Sequence, residues 1–160
     1  MSHVQKSQVV NAPIAPTWAA VSRLGAVEEW HPNVARATVL TAHDSGIGAS
    51  RQVEFQDGNS AVETVIEESE LHFTKMEMSA SSPLSEIVVT IRTEERSADT
   101  TEVTFSVDYG MKYGPIGWMI DVGMMRRVFD KVFTAALGGL SYHLETGDLV
   151  TDVIPQRAAA

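Results

Sequence analysis

The chain has 160 residues, enough for one domain with a sizeable core. Apolar residues make up 44% of it and charged residues 21%, with 12 Lys and Arg against 21 Asp and Glu and a net charge of −9. Such acidity argues against nucleic acid or an anionic membrane as the main partner, since both need a basic footprint; the lack of cysteine excludes a disulfide framework, a thiolate nucleophile and a zinc–cysteine site.

The stretch Met1 to Val10 has no basic segment followed by an apolar core, so a signal peptide is not expected. No window approaches a membrane span without a charge. A cytoplasmic protein without membrane insertion is the expectation. No linker or repeat divides the chain: residues 1–150 are read as one domain and 151–160 as a flexible tail.

The first segment, His3 to Val10, alternates weakly and ends at Asn11. Pro13 and Pro16 bracket a helix start, where a missing N–H costs nothing. Trp18, Val21 and Leu24 follow at three-residue spacing and define one apolar face, with Gly25 as the stop. A short helical turn, Ala26 to Trp30, is ended by Pro32.

The pattern then turns to alternation. Strands are expected at Val34–Ala42, Arg51–Gln56, Ala61–Leu71, Phe73–Ser79, Ile87–Thr93 and Glu102–Tyr109. The separators Asp44-Ser45-Gly46, Asp57-Gly58-Asn59, Ser81-Ser82-Pro83 and Ser97-Ala98-Asp99 are turn chemistry, and Asp57-Gly58 is the sharpest hairpin signal. Connections this short predict an antiparallel meander. Ile87, Val89 and Ile91 share one face, as do Val103, Phe105, Val107 and Tyr109. A sheet apolar on one side needs a cover.

The last element supplies it. Between Ile116 and about Glu145 only Gly123 and Gly138-Gly139 weaken a helix. Trp118, Val122, Met125, Phe129, Val132, Ala136, Leu140 and Leu144 recur at three or four and predict a continuous stripe, with Asp121, Arg127, Asp130 and Lys131 mostly off it. A helix of roughly 30 residues would be about 45 Å long and could cross a small sheet.

Strand, two short helices, six strands and a long helix in this order resemble the helix-grip fold of the START-like (SRPBCC) superfamily. Asn11-Ala12-Pro13-Ile14-Ala15-Pro16-Thr17-Trp18 looks like the approach to the family's first helix. Glu29-Trp30-His31-Pro32-Asn33-Val34 looks like its Trp-x-Pro-x-Val step into the second strand. Gly48-Ala49-Ser50-Arg51, Asp57-Gly58 and Glu63-Thr64-Val65 look like its third- and fourth-strand series, with Thr64 in place of the usual Arg. The chain is closest in style to the bacterial polyketide cyclase/dehydrase and lipid-transport group. The resemblance implies an α+β fold, a seven-stranded curved antiparallel sheet with two short helices and a long C-terminal helix over an internal cavity. It implies no single reaction.

The resemblance turns Arg51 and Glu63 toward the cavity, where the one could bind an enolate or carboxylate and the other act as acid or base; alternatively the two pair across strands or face solvent. His31 is either a proton shuttle at the cavity mouth or a loop residue before Pro32. Tyr109 points its hydroxyl into the cavity or is a core aromatic. Further ligand contacts are expected from Trp30, Phe55, Val89, Ile91, Phe105, Val107, Met111, Trp118, Val122, Met125 and Phe129. The five His are scattered without metal-ligand spacing, so neither metal nor cofactor is expected.

The leading expectation is a binder of a small hydrophobic or aromatic, lipid- or polyketide-like molecule, as a monomer or homodimer. The alternative is a polyketide cyclase or dehydratase using Glu63 or His31 for proton transfer and Arg51 or Tyr109 for enolate stabilisation. A third reading, a partner-binding domain, would show an exposed apolar gate around Gly46–Ala49 and Lys112–Gly117.

Overall fold

The computed structural model describes residues 1–79 and 84–150. The expected turn Ser81-Ser82-Pro83 and the tail at 151–160 lie outside the described residues. In chain order the elements are β1 (Ser2–Val10), α1 (Ile14–Ser22), a 3-10 turn (Leu24–Ala26), α2 (Val27–Trp30), β2 (Val34–Val39), β3 (Ser50–Phe55), β4 (Ser60–Ser69), β5 (Phe73–Met78), β6 (Leu84–Ser97), β7 (Thr100–Met111), α3 (Gly114–Ile120), a π-helical turn (Asp121–Met125) and α4 (Arg126–Thr146).

The seven strands form one antiparallel sheet in the order β1-β7-β6-β5-β4-β3-β2. Strands β2 to β7 are a meander, as short connections require. The first strand closes the far edge on β7, from Ser2 opposite Tyr109 to Val10 opposite Thr101. The Asp57-Gly58 hairpin forms as its residues dictate. Gly58 takes φ +90°, and the Asn59 amide donates to the Asp57 side chain at 2.9 Å. β6 and β7 run longer than expected, because their ends carry polar residues that hide the alternation.

Inner-face residues of the sheet form the core with α1, α2 and α4. Val10, Val21, Leu24, Trp30, Val53, Val65, Val103, Val107 and Leu140 are all fully or almost fully buried. Helix α4 lies along β1 and β7 and crosses α2. That crossing explains Gly139. A Cβ there would sit 2.1 Å from the Trp30 carbonyl oxygen and 2.8 Å from Pro32 Cδ. Gly139→Ala should therefore cost about 1–3 kcal/mol through overpacking, read as a lower urea midpoint. Gly123→Ala, where a Cβ meets open space, should cost nothing.

The expected single helix is interrupted. The Arg126 amide bonds the Asp121 carbonyl five residues back, which widens one turn. One extra residue rotates everything before it by about 100° relative to a regular helix. The stripe read at uniform spacing therefore fails upstream of the turn. Trp118, expected on the sheet-facing side, is 64% exposed, and Asp121, expected off the stripe, is 2% exposed.

Candidate functional site

A single rung of the sheet organises the polar groups. Following the register across all seven strands gives Ser2, Tyr109, Ile87, Met78, Glu63, Arg51 and Val39 as successive neighbours. Side chains on one rung share a face. Tyr109 and Arg51 are four strands apart, about 19 Å along the sheet at the usual strand spacing. Between them lie Ile87, buried, and Met78, half-buried.

At one end of the rung, Arg51 and Glu63 are both buried and directly opposite each other. Both Nε and Nη2 of Arg51 lie 2.5 Å from Glu63 Oε2. Arg51 Nη1 donates to the Leu24 carbonyl at 2.9 Å, and Nη2 also approaches Met76 Sδ at 3.9 Å. Two-point pairing of this kind offsets the cost of removing both charges from water. Of the readings open in the sequence, the cross-strand pair is the one formed, and it forms on the inner face.

His31 sits close to this pair. Its ring stacks on Trp30 at 5.6 Å, and Nδ1 accepts the Asn33 amide at 3.2 Å. Desolvation, and secondarily the Arg51 charge, push its pKa down to about 3. The imidazole is therefore neutral, with its proton on Nε2. Because the unfolded chain binds a proton near pH 6.5 and the folded one does not, this residue's contribution is full above pH 6.5 and is lost as pH falls toward 3. From pH 7 to pH 5 it should remove about 2 kcal/mol of stability. Urea unfolding of His31→Gln should show a correspondingly flatter acid slope.

At the other end of the rung, Tyr109 is fully buried and donates its hydroxyl to Asp121 Oδ1. Ser2 donates to Asp121 Oδ2, and Arg126 Nε lies 3.8 Å from the same oxygen. Burial first, then the Asp121 carboxylate, push the Tyr109 pKa up to about 12, so the phenol remains a donor. The π turn is what aims Asp121 at these groups. The site residues expected from the sequence include neither Asp121 nor Ser2. The available signal was Asp121 as the lone charged residue in the run Ile116 to Met125.

Rings join the two ends. Tyr109 meets Phe129 at 4.8 Å, Phe129 meets Phe133 at 6.2 Å, Phe133 meets Phe105 at 5.8 Å and Phe105 meets Trp30 at 5.8 Å. Trp30 donates Nε1–H to the Ala20 carbonyl at 3.0 Å. Trp30, Ile91, Phe105 and Val107 are core residues with almost no surface. Phe55, Val89, Met111, Met125 and Phe129 pack on the core yet stay half-buried. The Val122 side chain lies outside what is described. An open cleft of about 280 Å³, lined by Val62, Thr64, Glu77, Met78, Ser79, Ser85 and Glu86, lies mainly on the opposite, outer face, because Val62 and Thr64 flank inward Glu63 and Glu77 and Ser79 flank Met78. Among the described residues no group of His, Asp and Glu has the arrangement of a metal site.

A family model described as "Polyketide cyclase / dehydrase and lipid transport" matches residues 1–145. The chain belongs to this family. Solved structures carry the same fold at low identity. A solution structure from Thermobifida fusca is 23% identical with a TM-score of 0.71, covering 88% of this chain and 91% of that one. A START superfamily protein from Mycobacterium smegmatis is 15% identical with a TM-score of 0.71, covering 89% and 97%. The di-domain ARO/CYC protein BexL, from a biosynthetic pathway, is 16% identical with a TM-score of 0.76; the match covers 91% of this chain but 47% of BexL. No curated protein matches the sequence. At these identities the likenesses establish the helix-grip fold.

Proposed function

We propose that this family member binds a small, uncharged, largely apolar molecule on the inner face of the sheet, beneath α3 and the π turn. The observation that carries the reading is the rung itself, with polar groups at both ends and Ile87 and Met78 between them. Val89, Met111, Met125 and Phe129 flank that stretch and, like Met78, keep some surface. Methionine adapts to irregular apolar shapes, which suits such a contact.

The charges argue for an uncharged ligand. Arg51 is matched by Glu63, Asp121 faces Arg126 with two hydroxyl donors, and His31 is neutral. A ligand carboxylate would have to break an existing buried pair. The same saturation counts against the cyclase or dehydratase reading. Glu63 is held by Arg51, and an imidazole with so low a pKa is a weak base near neutral pH. Family membership and the START-like and ARO/CYC neighbours support binding of a hydrophobic molecule.

Native mass spectrometry of the full chain with fatty acids, neutral lipids and neutral polyphenols tests the proposal. Retention of one neutral apolar ligand per chain is expected. A failure to retain any member of the panel would overturn it.

A further inference from the structure

The phase shift introduced by the π turn leaves an apolar surface uncovered. Ile116, Trp118, Met119, Met124 and Val128 are all exposed, Met119 to 67%. Ile116, Met119, Met124 and Val128 are spaced three, five and four apart, which is one continuous stripe when the five-residue step spans the wider π turn. Trp118 lies beside it, between Ile116 and Met119 in the chain.

Cations border this stripe. Arg127 follows Met124 by three residues, and Lys131 follows Val128 by three and Arg127 by four. Lys112 precedes α3. All three are exposed, and none has an ion-pair partner among the described residues. Elsewhere Lys6, Arg23, Arg36, Arg51 and Arg96 each face a carboxylate. The segment 112–131 holds four cations and two carboxylates, a net charge of +2 in a chain whose other residues sum to −11. Both carboxylates are engaged: Asp121 points inward at Tyr109, and Asp130 accepts from Lys6 at 3.1 Å. The whole chain's charge points away from anionic surfaces; that of this face points toward them.

We propose that the outward face of α3, the π turn and the first turn of α4 is a docking surface for an anionic lipid bilayer. Ile116, Met119 and Met124 would enter the acyl boundary, Trp118 would sit at headgroup level, and Arg127, Lys131 and Lys112 would meet lipid phosphates. A second copy of the chain fits less well, because the stripe has no free carboxylate to answer its own cations. The proposal stands apart from the identity of any ligand on the inner face.

Trp118 is a built-in reporter, because Trp18 and Trp30, the other two tryptophans, are buried. The experiment is co-sedimentation of the full chain with vesicles of phosphatidylcholine alone or of phosphatidylcholine and phosphatidylglycerol in equal parts. Sedimentation with the anionic vesicles only, accompanied by a shift of tryptophan emission to shorter wavelength, is expected. Arg127→Gln/Lys131→Gln should weaken binding roughly 30-fold, about fivefold per cation. Met119→Ser/Met124→Ser should abolish the emission shift, with an unchanged melting temperature confirming the fold. Absence of binding to anionic vesicles at low salt would overturn the proposal. So would binding that neither variant alters, or a concentration-dependent dimer that Met119→Ser/Met124→Ser dissolves while vesicle binding persists.

Discussion

Glu63→Leu should destabilise the protein by about 3–5 kcal/mol, and Arg51→Met by a similar amount, because each leaves one charge buried without its partner. The double variant Arg51→Met/Glu63→Leu should recover most of that loss. Both residues keep less than a tenth of their surface, and two Arg51 nitrogens converge on one Glu63 oxygen. The double-mutant cycle, run by urea unfolding, should give a coupling of about 5 kcal/mol or more, far above that of an ordinary exposed pair. Additive losses would mean that the pair is not formed as described. The double variant would also remove the most polar section of the inner face, so ligand selectivity should move toward purely apolar molecules.

Asp121→Ala should loosen α3 without unfolding the sheet. The carboxylate receives two hydroxyl donors, from Tyr109 on β7 and Ser2 on β1, and so ties the π turn to two strands. Removing it leaves those hydroxyls unmatched at a cost of about 1–3 kcal/mol. Amide exchange over α3 and the π turn should then speed up roughly 5- to 150-fold, while the β3–β4 amides keep their protection. Gly117 limits the alternatives. A Cβ there would sit 2.0 Å from the Lys112 carbonyl oxygen, so α3 already packs as closely on its own approach loop as backbone allows. Tyr109→Phe should reproduce part of the effect through loss of one donor. Unchanged exchange in Asp121→Ala would show that apolar packing alone holds α3.

Much of this architecture is legible in the residues. Strands β6 and β7 declare themselves by strict alternation through Ile87 to Ile91 and Val103 to Tyr109. Asp57-Gly58 declares its hairpin, and Phe129, Ala136 and Leu140 fall where a regular stripe puts them. The helix upstream of them does not. A stripe counted at 3.6 residues per turn has no place for a π turn, so Trp118 is read as inward and Asp121 as outward, and both are reversed. The Arg51–Glu63 pair is one of three readings open to charged residues on neighbouring strands; register and burial together decide among them. The contact between Ser2 and Asp121 spans 119 residues of chain. No local pattern carries it, because it depends on β1 returning to β7 at the far edge of the sheet.

Methionine-methyl NMR during titration with a neutral apolar ligand tests the central claim most directly. The chain has seven methionines, and they divide by position. Met78, Met111 and Met125 pack half-buried against the inner face, while Met119 and Met124 point outward from the helix. Binding beneath α3 predicts saturable shifts at Met78, Met111 and Met125, with Met119 and Met124 unmoved. Shifts confined to Met119 and Met124, or no saturable shift with any ligand that the chain retains, would contradict it.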